Sequence, residues 1–167
     1  SMADYIVVDT HHHFLPSEAV KYAKKTADGD YTFILGRFST ASTLMQDVEK
    51  TLAYMEACGI HRVLLSMGAW IPNGLETCRA INDGYAKIQK EYPGKFITCA
   101  HVPVHQVAEA MDELKRSVET LGLQGVALIT SYSHMTIDSD EMMPFYERIS
   151  AYRVPLVVHP TLRRPLW

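Results

Sequence analysis

The sequence has no long hydrophobic run, few cysteines and no concentration of positive charge. Its apolar runs are far shorter than the roughly 20 residues of a membrane-spanning helix, and no signal-peptide pattern is visible, so we expect neither a membrane span nor a membrane partner. With 16 Lys and Arg against 19 Asp and Glu, the net charge is -3 and no basic stripe stands out, which argues against a nucleic-acid partner. The three cysteines form no C-x-x-C pair, a pattern typical of free thiols in the cytoplasm.

What the sequence does contain is typical of a globular domain. The chain has 167 residues, of which 47% are hydrophobic and 21% charged, enough for one domain with a real core. No repeat, low-complexity tract or linker indicates a second domain. We therefore expect residues 1–167 to form a single domain.

Five short apolar runs alternate with helical patterns along the chain. They are nearly continuous in Val, Ile, Leu, Ala and Cys, as expected for strands that are covered on both faces of a parallel sheet. The predicted strands are Tyr5–Asp9, Arg62–Met67, Phe96–Val102, Gly125–Thr130 and Val154–His159. After the second strand they recur about every 30 residues, the size of a βα unit, so the sequence predicts an α/β fold with right-handed crossovers.

The helices between these strands carry recognisable start and stop signals. One apolar stripe at helical spacing ends before Gly59, a residue type that often terminates helices. Asn73 with Glu76, and Asp138 with Glu141, match the capping-box pattern and predict two helix starts. The long connection between the first strand and the first of these helices is expected to bind a ligand or to act as a lid.

Three histidines follow the first predicted strand, immediately before Phe-Leu-Pro. Side chains alternate along a strand, so His11 and His13 should project together while His12 points to the other face. Active sites of parallel α/β folds lie beyond the carboxyl ends of the strands, so this pair predicts half of a metal site. Solvated loop histidines are the alternative. Asp9 is expected to orient the ligands rather than bind the ion.

His159 ends the last predicted strand and is followed by proline. Alone, such a histidine is more often a hydrogen-bonded structural residue. With His11 and His13 at the same rim of a barrel, however, three neutral imidazoles would converge in a set that suits zinc or a similar divalent ion.

The order and spacing of several segments are similar to those of a known family. The segments are Val8–Pro16, Tyr54–Ile60 with Arg62–Ser66, Ile81–Asp83 with Tyr92–Phe96, Glu113–Leu114 with Leu121–Val126, Pro144–Arg148 and Val157–Pro160. Together they resemble the amidohydrolase-related metal enzymes, in the branch of the aminocarboxymuconate-semialdehyde and γ-resorcylate decarboxylases. The resemblance covers essentially the whole chain. It implies a TIM-barrel-like (β/α) fold, one divalent ion (zinc expected, manganese as the alternative), and His11, His13 and His159 as its ligands.

The fourth strand bears on the number of metal ions. Relatives with two ions need a bridging Lys or Glu at its end, and residues 124–132 contain neither, which disfavours two-metal hydrolysis. The resemblance also implies three further strands that carry a histidine and the aspartate of the metal shell. We therefore expect a truncated barrel with five of eight strands, with completion by another chain or self-association of a half-barrel as alternatives.

The resemblance implies decarboxylation of a small unsaturated or aromatic carboxylic acid. Hydrolysis of a lactone or amide is the alternative, and a non-catalytic barrel fragment is the third. Expected partners are the carboxylic acid substrate and either a second copy of the chain or another chain that completes the barrel.

Four residues are candidates for substrate binding. Arg37, in the long connection, is a candidate clamp for a carboxylate, although a solvated arginine is equally expected. Phe14 and Trp70 follow the first two strands and are candidate pocket walls, with plain packing as the alternative. His134 follows the fourth strand and is a candidate substrate contact. His101, at the end of the third strand, is a candidate for the barrel mouth.

Overall fold

The protein is built on one five-stranded parallel sheet. The computed structural model describes residues 5–22, 45–132 and 135–160. The strands of the sheet are β1 (Val8–His13), β2 (Arg62–Ser66), β3 (Phe96–His101), β4 (Gly125–Ile129) and β7 (Leu156–His159), in the order β1-β2-β3-β4-β7. A small antiparallel hairpin, β5 (Ser131–Tyr132) and β6 (Met135–Thr136), follows β4. The parallel α/β arrangement predicted from the sequence is thus present.

Helices connect the strands. They are α1 (Ser17–Val20), α2 (Val48–Cys58), α3 (Leu75–Glu91), α4 (Val107–Lys115) and α5 (Met143–Tyr152). Short 3₁₀ turns at Gly68–Asn73 and Asp140–Met142 precede α3 and α5, and a π-helical turn, Arg116–Thr120, extends α4. Among these described helices, none has the length and apolarity needed to span a bilayer.

The two faces of the sheet are packed differently. A large cluster fills the space between sheet and helices and includes Val63, Leu65, Val126 and Leu128. The alternate residues of the same strands form a small cluster, Leu64, Cys99 and Ala127, on the opposite face. Strands buried on both faces explain why the sequence shows continuous apolar runs rather than alternation.

The start of α2 and the start of α3 are stabilised in different ways. Asp47 caps α2, where its carboxylate accepts a hydrogen bond from the Lys50 backbone N–H at 3.1 Å. The capping box predicted at Asn73 is wrong, because Asn73 belongs to the 3₁₀ turn and α3 begins after Gly74 without a side-chain cap of its own. Instead, Gln106 Oε1 accepts a hydrogen bond from the Leu75 N–H at 3.1 Å.

The start of α5 also differs from the prediction. Asp138 was expected to cap the helix, but a 3₁₀ turn intervenes and no side chain caps α5, which begins at Met143. The Ser139 hydroxyl instead accepts a hydrogen bond from the Thr136 N–H at 2.9 Å, which closes the turn after the hairpin.

The segment after β1 is held against α3. A Cβ at Gly84 would lie 2.3 Å from Pro16 Cβ, so only glycine permits this approach of α1 to α3. One residue further, the buried Tyr85 hydroxyl donates to the Phe14 carbonyl at 2.6 Å. These contacts fix the chain directly after the histidines of β1.

Candidate metal centre

Three imidazoles meet at one end of the sheet. Ligand nitrogens of His11, His13 and His159 all lie within 4.8 Å of one another. The ring centroids are 5.0 Å apart for His11 and His13, 5.2 Å for His13 and His159, and 5.4 Å for His11 and His159. The structure therefore brings together the three side chains that the sequence selected.

The curvature of the sheet makes this meeting possible. β1 and β7 are its two outermost strands, separated by β2, β3 and β4. In a flat sheet, neighbouring strands are about 4.8 Å apart, so four spacings would separate the two edges by about 19 Å. The 5.4 Å between the rings of His11 and His159 instead requires a sheet that curls until its edges face each other.

Local register aims the two histidines of β1 in the same direction. His13 pairs with Ser66 and His12 with Leu65, after an irregularity between Asp9 and His12. Leu65 faces the helices, and His12 accordingly lies 6.0 Å from the ring of Tyr54 in α2. His11 and His13 face the other side, as the alternation of a strand predicts.

Main-chain carbonyls direct two of the rings. His13 Nδ1 lies 3.0 Å from the Ser66 carbonyl oxygen, and His159 Nδ1 lies 2.8 Å from that of Pro160. A carbonyl oxygen only accepts, so Nδ1 is the donor in both rings, and the neutral form of each ring then has a free lone pair on Nε2. Burial lowers the pKa of His13, opposed by the Ser66 hydrogen bond and reinforced by the neighbouring His159 and His11. His13 is therefore a neutral imidazole at pH 7, the form that binds metal.

Asp9 contacts the neighbouring residues without joining the cluster. Its Oδ1 accepts from the His11 backbone N–H at 3.0 Å, and its Oδ2 lies 3.3 Å from His12 Nδ1. Within the described part of the chain, the group that could hold an ion contains the three histidines and no carboxylate. Asp9 thus contacts the irregular part of β1 that carries His11.

Glycine at position 68 gives His159 its room. A Cβ at Gly68 would lie 3.2 Å from His159 Cβ and 3.5 Å from Ile129 Cγ2. The 3₁₀ turn after β2 therefore packs directly against the strand that carries the third imidazole. The sequence alone gave no reason to select this glycine.

The candidate substrate residues have different placements. Phe14 and Trp70 are 2% and 4% exposed and belong to the hydrophobic cluster between sheet and helices, so a role in walling a pocket stays a prediction. Arg37 and His134 lie outside the described residues.

His101 is fully buried and both ring nitrogens face the main chain. Its Nε2 lies 2.8 Å from the Met67 N–H, and its Nδ1 lies 2.9 Å from the Cys99 carbonyl oxygen. Both nitrogens are occupied, so His101 is not a ligand of the three-histidine cluster. Its position at the end of β3 was visible in the sequence, but its partners were not.

Fold and site together define a class of protein: a barrel-type α/β domain whose strands carry histidines to a common rim. Comparison with known families places the chain within that class. Residues 8–166 match the family model described as amidohydrolase, and the chain belongs to this family of enzymes. The resemblance identified from the sequence is confirmed.

Among curated proteins, the γ-resorcylate decarboxylase of Rhizobium sp. is 28% identical over 169 residues, covering 92% of this chain and 49% of that protein. The chain thus spans about half the length of the curated relatives it matches. Among solved structures, 5-carboxyvanillate decarboxylase from Sphingomonas paucimobilis superposes with a TM-score of 0.81 at 21% identity, over 93% of this chain and 52% of the other.

A third comparison is a dihydroxybenzoic acid decarboxylase from Polaromonas sp., solved with bound manganese and 2-nitroresorcinol. Its TM-score is 0.73 at 25% identity, with 96% of this chain and 50% of that one covered. The five parallel strands therefore correspond to about half of an amidohydrolase-type TIM barrel, as the sequence predicted.

Proposed function

We propose that the protein is a metal-dependent carboxy-lyase that removes CO₂ from a small aromatic or unsaturated carboxylic acid. The convergence of His11, His13 and His159 within 4.8 Å carries this proposal. Relatives named as decarboxylases of aromatic acids support it and favour an aromatic substrate. Because the chain covers about half of those relatives, the proposal concerns the activity of the whole protein.

The donor set fits one divalent ion. Because Nδ1 of His13 and Nδ1 of His159 face carbonyl oxygens, the neutral rings offer Nε2 to an ion, and a nitrogen of His11 lies within the same 4.8 Å group. Neutral imidazoles are good ligands for zinc, while the manganese in the Polaromonas structure supports manganese as the alternative. When bound, the ion supplies positive charge that stabilises the negative charge developing during C–C cleavage.

The remaining chemistry concerns the substrate and one proton. The electron pair of the broken C–C bond stays on the substrate carbon, where a proton takes the place of the departing CO₂. We propose that Arg37 binds a carboxylate, that Phe14 and Trp70 border the pocket, and that His134 contacts substrate. The proton donor is expected among groups that approach the open side of the three-histidine cluster.

A second segment, in the same protein or in another chain, is proposed to complete the barrel. Across the described residues, β1 and β7 each pair with one neighbour only, and β7 leaves Val158 42% exposed. A helix and strand added beside β7 would cover this surface. Self-association is the alternative way to bury it.

We also propose a cytoplasmic location. Cys58, Cys78 and Cys99 are all free, and burial raises the pKa values of the Cys78 and Cys99 thiols. A protein whose cysteines all remain reduced suits a reducing compartment. Cell fractionation tests this location.

Metal analysis of the purified chain tests the centre. We expect about one divalent ion per chain after supplementation, and an affinity reduced by at least 10-fold in His13→Asn, since one of the three ligands is lost. His61→Asn is the matched control, because His61 precedes β2 at the opposite end of the sheet and accepts a hydrogen bond from the Val7 N–H. Equal metal content in the two variants would contradict the proposed centre.

Product analysis tests the reaction. Incubation of the whole protein with aromatic and unsaturated acids should release CO₂ and yield the acid's carbon skeleton with hydrogen in place of the carboxyl group. Turnover of lactones or amides without CO₂ would assign hydrolysis instead. Absence of all turnover in a metal-loaded, complete protein would indicate a binding role.

A further inference from the structure

A single peptide group joins two histidines that the sequence places 88 residues apart. The carbonyl of the Ser66–Met67 peptide accepts from His13 Nδ1 at 3.0 Å, and the N–H of the same peptide donates to His101 Nε2 at 2.8 Å. Both bonds lie where β2 ends, since that strand stops at Ser66. The partner of the Met67 N–H is therefore an imidazole rather than a neighbouring strand.

The hydrogen-bond directions in this chain of groups follow from elementary chemistry. The Met67 N–H can only donate, so His101 Nε2 must be the unprotonated nitrogen. His101 Nδ1 then carries the proton and donates it to the Cys99 carbonyl at 2.9 Å. At the other end, His13, a member of the three-histidine cluster, must donate from Nδ1, so the lone pair of its neutral ring is on Nε2. With Nδ1 protonated in both rings, every hydrogen bond from His13 through the Ser66–Met67 peptide and His101 to Cys99 has one donor and one acceptor.

Several contacts hold His101 in place beside the Ser66–Met67 peptide. The buried Asn82 side chain binds both main-chain groups of His101, accepting from its N–H at 2.7 Å and donating to its carbonyl at 2.9 Å. Asn82 also donates to Glu113 Oε1 at 2.8 Å, and Glu113 is itself buried. The Tyr85 ring meets the His101 ring edge-on at 5.4 Å between centroids.

We propose that His101 is a positioning residue for His13, acting through the Ser66–Met67 peptide rather than by contact with an ion or substrate. By accepting the Met67 N–H, it fixes the plane of that peptide and strengthens the Ser66 carbonyl as an acceptor, because hydrogen bonds in series polarise one another. The carbonyl then fixes the tautomer and ring orientation of His13. Partners of ligand residues usually contact them directly, whereas here the effect passes through one peptide group.

The role of His101 in metal affinity depends on the proposed metal centre, but the hydrogen-bond series does not. The first test is therefore nuclear magnetic resonance of the ¹⁵N-labelled chain without metal. We expect a coupling through the hydrogen bond between Met67 N and His101 Nε2, and Nδ1–H tautomers for both His101 and His13. A His101 ring protonated on Nε2, or absence of the coupling, would overturn the proposal.

Two substitutions separate the acceptor function from simple packing. The amide oxygen of His101→Gln can take the place of Nε2 and accept the Met67 N–H, whereas the shorter His101→Asn keeps a donor toward Cys99 but does not reach Met67. In His101→Asn we expect the His13 Nδ1–H tautomer to lose its dominance and the affinity for Zn²⁺ to fall about 10-fold. In His101→Gln both should stay much closer to those of the unaltered chain.

Thr98→Val is the structural control. Thr98 is buried on the same strand, opposite Leu65, and its hydroxyl donates to Gln89. It should lower the stability of the chain without changing the His13 tautomer or the affinity for Zn²⁺. Equal behaviour of His101→Gln and His101→Asn would overturn the proposal. Failure of the unaltered chain to bind any divalent ion would reject the proposed function, while the tautomer measurements would still decide the role of His101.

Discussion

At the scale of single residues, burial keeps the imidazoles of His13 and His101 uncharged in different surroundings. His13 is partly buried beside two other imidazoles, and burial is the main reason for its lowered pKa. His101 is fully buried, and burial lowers its pKa to about 4, against the opposing effect of its bond to the Cys99 carbonyl. In the folded chain, both imidazoles therefore bind a proton less readily than they do in the unfolded chain.

The stability of the chain should consequently fall in mild acid. Well above pH 6.5, His101 is neutral in both folded and unfolded chains and contributes no pH dependence. As the pH falls from 6.5 toward 4, the unfolded chain takes up a proton that the folded chain refuses, so the free energy of unfolding falls. At about 1.4 kcal/mol per pKa unit, the loss attributable to His101 near pH 4 is about 3 kcal/mol.

Urea unfolding between pH 7 and pH 4.5 measures this effect. His101→Gln cannot titrate and should show a clearly shallower decline than the unaltered chain. His61→Asn also removes one histidine, but from an exposed position, and should keep the decline. An identical decline in the unaltered chain and His101→Gln would show that His101 does not resist protonation.

At the scale of elements, the 3₁₀ turn after β2 and the end of β7 are in close contact at Gly68. Gly68→Ala would place a Cβ 3.2 Å from His159 Cβ, closer than ordinary packing, and should displace His159 by a few tenths of an ångström. We expect weaker metal binding together with a stability loss of about 1 kcal/mol. Calorimetric titration with Zn²⁺ and urea unfolding measure the two effects.

Gly59→Ala provides a control of matched stability. Gly59 ends α2 with a φ of 65°, and a Cβ there meets nothing within 4 Å, so the substitution costs stability through backbone strain alone. Metal affinity should be unchanged in this variant. A similar loss of affinity in both variants would mean that general destabilisation, rather than pressure on His159, weakens the centre.

The bounds of a strand were predictable from the sequence where burial of its side chains determines them. They were less predictable where pairing with a neighbouring strand determines them. The apolar runs located β2, β3 and β4 to within one residue. The first strand was predicted as Tyr5–Asp9, whereas β1 is Val8–His13. Its pairing with β2 begins at Val8, opposite Arg62, and continues through the histidines. The apolar residues 5–8 lie just before and at the start of β1, whereas pairing with β2 determines where β1 begins and ends.

The candidate site shows the same division. His11, His13 and His159 could be selected because they end strands, and parallel strands end on one rim. The partners of His101 are main-chain atoms of residues 67 and 99, which any sequence would supply. The pattern of side chains in the sequence therefore could not indicate these partners. The close approach of Gly68 to His159 was equally unpredictable, because the two residues are far apart in the sequence.

At the scale of the whole molecule, the outer strand β7 differs from the inner strands. Leu156 and Val158 pair with Val126 and Leu128, whose side chains are buried under the helical layer. Within the described part of the chain, however, Leu156 and Val158 remain 38% and 42% exposed. An apolar strand edge with this exposure favours association with further polypeptide.

We expect the 167-residue chain to self-associate when no completing segment is supplied. Sedimentation should give a mass above that of one chain, and Val158→Lys should shift the distribution toward single chains by placing charge on the exposed edge. Val107→Lys is the control, because Val107 is 48% exposed but lies at the start of α4, the helix that follows β3, rather than on β7. A strictly monomeric unaltered chain, or an equal effect of both lysines, would argue against association through β7.

The three imidazoles come from the beginning and the end of the described chain, which has a consequence for synthesis on the ribosome. Until residue 159 has left the exit tunnel, a growing chain offers only the two imidazoles of β1, and the curled sheet that unites them with the third does not yet exist. If the cluster binds an ion as proposed, the complete set of three ligands forms only after translation and folding have passed β7.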